Sequence, residues 1–230
     1  MQLGPYRLGP NDTPENGIYC GDARELAQAI PDESVDLVFT DPVYNRVDDY
    51  RWLAETGARV LQDGGYCLAL SGGYYFEQIF DVMREHLDFY WVNAVYMRSV
   101  SRIGTIWPKS ISVRWKPVLW FSKGVGRHHK FVSDGVSYSI ADKRFHSWGQ
   151  AEQWCWYWIQ ELTDDSCVIV EPFTGGGTVP AVCKMLGRKY LAFEIDPDTC
   201  EMARERVRNT QPPLFVPEPQ QSEFVLTDQS

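Results

Sequence analysis

In this 230-residue chain the stretch Thr40-Asp41-Pro42-Val43-Tyr44-Asn45 follows an apolar run, Val35-Asp36-Leu37-Val38-Phe39. Such β-branched and aromatic runs read as strands buried on both faces. Asp41-Pro42 ends the run and leaves a carboxylate, a stiffened backbone and the ring of Tyr44 at its carboxyl end, where ligands gather in open α/β sheets. Asp-Pro is also a common strand breaker, so the pair taken alone reads equally as an ordinary turn. A second stretch, Glu171-Pro-Phe-Thr-Gly-Gly-Gly-Thr178, lies between the apolar run 167–170 and a helical pattern. Strand, glycines and helix in that order aim backbone N–H groups and a helix N-terminus at one spot, and the glycines permit close approach of a ligand. The spacing is not G-x-G-x-x-G, which disfavours a dinucleotide. Glu194, sixteen residues beyond Thr178 at the end of the next apolar run, stands where an acid grips ribose hydroxyls. Together these features suggest a nucleoside-bearing cofactor without a pyrophosphate; the alternative is a Gly-rich turn followed by an exposed acid.

The surrounding periodicity supplies the elements that must position these groups. Strands are expected at 18–20, 66–70, 167–170 and 190–193. Helices are expected from the capping-box spacing Asp22-Ala-Arg-Glu25, at about 49–62 stopped by Gly64-Gly65, at 74–87, at 148–162, after Thr178 to Gly187, and from Asp196-Pro197 to about Asn209. Two aromatic β-rich stretches, 89–97 and 117–121, pair as a hairpin-like edge around an insertion. Residues 1–17 form an irregular lead-in, 18–210 one domain, and the Pro- and Gln-containing 211–230 a disordered tail. Strands alternating with helices call for an α/β fold with a Rossmann-like, doubly wound, mostly parallel sheet.

Charge is unevenly spread. Ten Lys and Arg against two acids between Arg98 and His146 give that segment +8 in a chain of net charge −9. Such asymmetry suggests one face built for a polyanion. No stretch approaches the apolar length that spans a bilayer. The N-terminus lacks a signal pattern, and six cysteines without a C-x-x-C pair read as small buried hydrophobes in a reducing, cytoplasmic setting. The four histidines have no metal-ligand spacing, so no metal is expected.

The motifs in combination resemble the amino-methylating DNA methyltransferases. Asp41-Pro42-Val43-Tyr44 is similar to their D-P-P-Y catalytic motif, Glu171 to Thr178 to their D-P-F-x-G-x-G-T cofactor motif, and Phe193-Glu194-Ile-Asp-Pro to the ribose-binding stretch. Gly21-Asp22-Ala-Arg-Glu-Leu resembles the opening G-D-x-x-x-x-L. Catalytic motif first and cofactor motif last is the order of the circularly permuted β group. The resemblance covers about 18–209 and implies an S-adenosylmethionine-dependent methyltransferase fold with a small basic target-recognition insertion at 98–116 and 123–146. It implies S-adenosylmethionine along Phe173, Gly175, Gly177 and Thr178, with Glu171 near its amino acid end, Glu194 on the ribose and Asp22 approaching the adenine. Asp22 also reads as a simple N-cap. His146-Ser-Trp-Gly-Gln150 partly matches the family's H-P-x-x-K-P, giving His146 and Gln150 a cofactor-edge role.

An exocyclic amine is a poor nucleophile because its lone pair is delocalised into the ring. Asp41 and the Pro42 carbonyl, accepting its two hydrogens, would favour a pyramidal nitrogen, while Tyr44 stacks on a base turned out of the duplex. Val43 and Asn45 complete the target-base loop. Arg98, Arg102, Lys109, Arg114, Lys116, Lys123, Arg127, Lys130, Lys143 and Arg144 are candidate DNA contacts, with Trp107 and Trp115 as stacking wedges. Val43 departs from the motif's second proline, losing a fixed φ and predicting a looser loop; Glu171 is one methylene longer than the usual Asp. Asp41 leans toward adenine N6, with cytosine N4 the alternative and a catalytically weak DNA-binding relative a further one. A nucleotide-dependent oxidoreductase on the same sheet is disfavoured by the glycine spacing. DNA is the implied partner, in a restriction-modification setting, and the oligomeric state stays open, a homodimer included. Gln211-Pro-Pro-Leu214-Phe215 loosely resembles the Q-x-x-L-F pattern of sliding-clamp ligands, which would add a clamp as partner.

Overall fold

The computed structural model describes residues 2–11, 13–97, 104–127, 130–138 and 153–211. In chain order the strands and helices are β1 (Gln2–Leu3), β2 (Tyr6–Arg7), β3 (Ile18–Cys20), α1 (Ala23–Leu26), β4 (Val35–Thr40), α2 (Val47–Val60), β5 (Leu61–Leu70), α3 (Phe76–Met83), β6 (Asp88–Met97), β7 (Gly104–Ile106), β8 (Ile111–Val113), β9 (Trp115–Ser122), β10 (Gly135–Tyr138), α4 (Gln153–Leu162), β11 (Val168–Glu171), α5 (Thr178–Leu186), β12 (Lys189–Glu194) and α6 (Pro197–Asn209). Eight strands form one sheet in the order β10-β6-β9-β5-β4-β11-β12-β3. Every neighbouring pair is parallel except the two that β9 makes with β5 and β6.

Strand alternation divides the interior into two layers. Val38 faces a core with Tyr50, Leu53, Ile79 and Met83 of α2 and α3, whereas Leu37 and Phe39 face another with Trp158, Val179, Val182 and Ala203 of α4, α5 and α6. A central strand that feeds both layers cannot alternate apolar with polar, which is why β4 reads as an almost continuous apolar run. From β4 the chain passes through α2 to β5 on one side, and from β11 through α5 to β12 on the other. The sheet therefore reverses its winding between β4 and β11, and a crevice opens at their carboxyl ends. Asp41 follows one of these strands and Glu171 ends the other.

The hairpin-like pair appears as β6 and β9, but it is not an edge: β10, in a stretch without periodicity, adds a parallel strand outside it. Gly64-Gly65 do not stop α2. That helix ends at Val60, the extended backbone of Leu61 starts β5, and the glycines lie in an irregularity within β5, where Gly64 has φ +79°. The lead-in carries the β1–β2 ribbon, and Leu3, Tyr6 and Leu8 are buried against the first core. All six cysteines are free thiols, four of them buried. Among the described residues no helix is long and apolar enough to cross a membrane.

Candidate functional site

Three carboxylates converge where β4, β11 and β12 end. Register places Val38 beside Val170 and Glu171 beside Ala192, so Asp41, Glu171 and Glu194 stand along one rim of the sheet. Glu171 is buried, and its Oε2 has no hydrogen-bond partner among the described residues. Desolvation first, then the charge of Asp41, raises its pKa well above the ordinary carboxylate value, with Arg206 pulling it down and Glu194 adding to the rise. Asp41 is open to solvent on one side, yet surrounding protein removes enough water to raise its pKa; Lys116 and a hydrogen bond from Tyr44 oppose that rise. A rim of this kind favours a cationic ligand, whose charge would stabilise the ionised carboxylates.

The glycine loop is braced rather than loose. The Gly175 N–H donates to Glu194 Oε2 at 2.8 Å, and the Asp196 N–H to Oε1 at 2.9 Å. Thr174 donates through its N–H to the Phe193 carbonyl and through its hydroxyl to the Glu171 carbonyl. Arg206 Nη1 reaches the Gly176 carbonyl at 3.0 Å and Thr178 Oγ at 2.9 Å, tying α6 to both ends of the turn. Gly175 has φ +51° and nothing within 4 Å of where a Cβ would stand, so its face is open to a ligand. Gly177 differs: at φ +77° an added Cβ would sit 3.0 Å from the Cα and Cβ of Ala203. Gly177→Ala combines left-handed strain with overpacking, together about 2–4 kcal/mol. Its thermal midpoint is expected to fall by roughly 5–15 °C in a calorimetric melt, given this chain length.

The acid loop has its own scaffold. Tyr50 is fully buried; its hydroxyl donates to the Leu70 carbonyl at 2.7 Å and lies 3.5 Å from the Pro42 carbonyl. Burial, with Asp41 and Asp49 nearby, holds this phenol protonated. Tyr44 is half-buried, and its ring lies where a Cβ on Gly72 would be 2.9 Å away, so only glycine lets the loop after β5 press against it. Lys116 Nζ stands over the same ring at 5.4 Å. Val43 and Asn45 are exposed.

Register pairs Cys20 with Glu194, which brings Asp22 to the same rim. Asp22 caps α1 by accepting from the Arg24 N–H at 2.8 Å. Arg24 then bonds buried Asp49 at 2.6 Å and lies over Trp52, which meets Phe173 edge-on at 5.7 Å. Sequence reading missed Tyr50, Gly72, Asp49 and Arg206. Only Arg206 had a signal, its i+3 spacing from Ala203 on a helix whose face meets the glycines.

The basic candidates divide. Lys109, Arg114 and Lys116 lie at the carboxyl-end side, on or beside the β7–β8 ribbon, each over a tyrosine ring: Tyr74 at 5.6 Å, Tyr96 at 5.8 Å and Tyr44 at 5.4 Å. Trp107 at the ribbon's tip and Trp115 are exposed. Lys123 and Arg127 are placed elsewhere. Because β9 runs antiparallel, they fall at the opposite end of the sheet, where Lys123 bonds Glu33 and the Leu61 carbonyl and Arg127 bonds Gln62. They are not part of the rim. Lys130 sits at the sheet edge, 3.5 Å from Glu161. Arg98, Arg102, Lys143, Arg144, His146 and Gln150 lie outside the described residues, as do residues 212–215 of the clamp-like segment.

The methyltransferase domain profile matches residues 7–69. Type II methyltransferase M.HpaI of Haemophilus parainfluenzae is 22% identical over 83% of this chain and 73% of its own length. M.BamHI of Bacillus amyloliquefaciens is 26% identical over 84% of this chain, which spans 57% of that protein. The chain is homologous to type II DNA methyltransferases. The solved structure of PvuII DNA methyltransferase, described as cytosine-N4-specific, superposes with a TM-score of 0.70 at 19% identity, covering 92% of this chain and 98% of that one. An M1.HpyAVI–SAM complex gives 0.66 at 18% identity, covering 83% and 98%. The fold is thus that of the S-adenosylmethionine-dependent methyltransferases.

The residues present fit that cofactor. Glu171 has an unpaired buried oxygen for a cationic amino acid end, and Gly175 leaves the space a Cβ would fill. Glu194 keeps acceptor capacity beyond its two backbone bonds, since a carboxylate offers roughly four lone-pair sites. Among the described residues no three His, Cys, Asp or Glu side chains are arranged so as to hold a metal ion.

Proposed function

We propose that this chain moves a methyl group from S-adenosylmethionine to the exocyclic N6 amine of adenine in DNA. The observation that carries the reading is the placement of Asp41 and Glu171 at the ends of adjacent strands, beside an open glycine loop at the switch point. Glu171, Phe173, Gly175, Gly177, Thr178, Glu194 and Asp22 hold the cofactor, which when bound supplies a methyl group on an electron-poor sulfonium. Asp41 accepts one amine hydrogen and the Pro42 carbonyl the other, turning the nitrogen lone pair out of the ring plane. Tyr50 fixes the rear of that loop through the Leu70 carbonyl, so the acceptors need not reorganise during transfer. Lys116, over Tyr44, limits the rise in Asp41's pKa. Lys109, Arg114 and Lys116 hold phosphates at the mouth. The acid loop preceding the glycine loop in chain order supports a circularly permuted arrangement.

Cytosine N4 is the alternative acceptor, favoured by the likeness to PvuII methyltransferase. Digesting DNA methylated by the purified protein to nucleosides separates the two: N6-methyladenine is expected, and 4-methylcytosine alone would overturn the adenine reading. Val43 is 59% exposed, so a proline ring there meets solvent rather than core. Pre-ordering the loop by about 0.4–1 kcal/mol should raise kcat roughly two- to fivefold in Val43→Pro, with cofactor affinity unchanged in calorimetry.

A further inference from the structure

Beyond Lys116 on the same face of the sheet, β6, β9 and the segment entering β10 line an open cavity of about 380 Å³. The face is fixed by alternation: Lys116, Val118 and Trp120 follow one another on β9, and the last two join the core layer that Tyr44 packs against. Tyr90, Trp91, Trp120 and Phe131 supply aromatic walls, Lys130 stands at the edge, and Asn93 also lines the space. Asn93 lies opposite Val118 and is fully buried, and among the described residues neither its carboxamide oxygen nor its nitrogen has a hydrogen-bond partner. A buried amide left in that state is destabilising, and buried polar groups are nearly always paired. A ligand in this cavity would complete it.

The chemistry of that ligand follows from the walls. A carboxamide sets an acceptor beside a donor, the complement of a donor–acceptor edge on a nucleobase. The Tyr90 and Trp120 rings lie 4.6 Å apart at 34°, packed on each other as the aromatic floor of the cavity. Phe131 is fully exposed beside the cavity, and Trp91 is about half exposed with its indole N–H held by Asp134 at 3.2 Å. The Lys130 side chain stays largely exposed despite its contact with Glu161. Aromatic faces, one amide edge and a cation are the equipment of a site that stacks a base and holds its phosphate. The volume lies within the roughly 300–1,000 Å³ of small-ligand sites.

We infer that this cavity binds a nucleobase other than the one presented to Asp41. For the source of that base the inference rests on the proposed DNA substrate. Trp120 is four residues along β9 from Lys116, about 13 Å, within reach of the strand whose target base enters the acid loop. A free nucleoside shares the same chemistry.

The test uses the full chain, Asn93→Leu and Phe131→Ala, the latter on the surface and harmless to folding. Anisotropy with single-stranded and duplex oligonucleotides, photocrosslinking with 5-iodouracil oligonucleotides, and calorimetry with adenosine and with S-adenosylmethionine are read separately from methyl incorporation. Each variant is expected to bind oligonucleotide at least fivefold more weakly with unchanged affinity for S-adenosylmethionine. Asn93→Leu should melt no lower than the parent, and crosslinks should map to Phe131 or Trp120. Adenosine competition that Asn93→Leu abolishes assigns a free nucleoside as the source; its absence, with oligonucleotide binding weakened, assigns the strand. Unchanged oligonucleotide binding in both variants overturns the inference even if the parent methylates DNA. A parent that methylates no DNA overturns the proposed function instead, and oligonucleotide binding still decides the cavity.

Discussion

Asp41→Ala is expected to lower methyl transfer by at least about a hundredfold while cofactor affinity changes no more than a few-fold. Loss of one preorganised acceptor or donor at a charge-developing centre costs roughly 100- to 1,000-fold in other enzymes. On the proposed mechanism the lost carboxylate would face the amine, and it is not among the glycine loop's hydrogen-bond partners, whose bonds run to Glu194, Phe193 and Arg206. Single-turnover transfer and calorimetry with the methyl donor check the two halves; a comparable loss of cofactor binding would sink the role given to Asp41. The pH profile carries a second signature. Desolvation raises the Asp41 pKa, and the ionised form is the stronger acceptor for the amine hydrogen. The acid limb of kcat/KM should therefore lie above the ordinary carboxylate range, with the rate rising as pH climbs through it.

How much of this could be read from the chain alone varies with the physics of each residue. Strand β4 and the acid after it were legible because a strand buried on both faces leaves a continuous apolar signal, and proline marks its end. The glycine loop was legible because only glycine combines φ +51° and +77° with open space at one position and helix contact at another. Tyr50 was not, because a buried tyrosine on a helix face looks like core until the fold brings the Pro42 and Leu70 carbonyls to its hydroxyl. Gly72 was hidden for a similar reason: its lack of a side chain matters through Tyr44, 28 positions earlier, and no local pattern encodes that contact. The basic segment was legible as charge but not as a surface. Antiparallel β9 carries Lys116 to the rim and Lys123 to the far end, so a run of like charges in sequence is split in space. β10 escaped notice because an edge strand of four residues carries little periodicity.

Glu171→Gln should weaken cofactor binding by roughly 10- to 100-fold, about 1.4–2.7 kcal/mol, the range of a hydrogen bond to a charged group. The same change should stabilise the cofactor-free protein near neutral pH, and the sign follows from linkage. The folded-state pKa of Glu171 is raised well above 4.5, so its contribution to stability is fully present below that value and is lost as pH rises toward the folded pKa. Glutamine does not titrate, and its neutral amide is less costly to bury than an unpaired charge. The difference in thermal midpoint between variant and parent should therefore widen from about pH 4.5 upward and level off once the folded carboxyl ionises. On the proposed cofactor placement, a cationic amino acid end beside Glu171 lowers its pKa, and binding at a pH below the ligand-free value releases a proton. Calorimetry in two buffers of different ionisation enthalpy should show that release in the parent and none in Glu171→Gln. Equal proton release in both proteins would remove Glu171 from the cofactor site while leaving Asp41 untouched. The two carboxylates thus answer different experiments, one reading transfer at fixed affinity and the other affinity coupled to a proton.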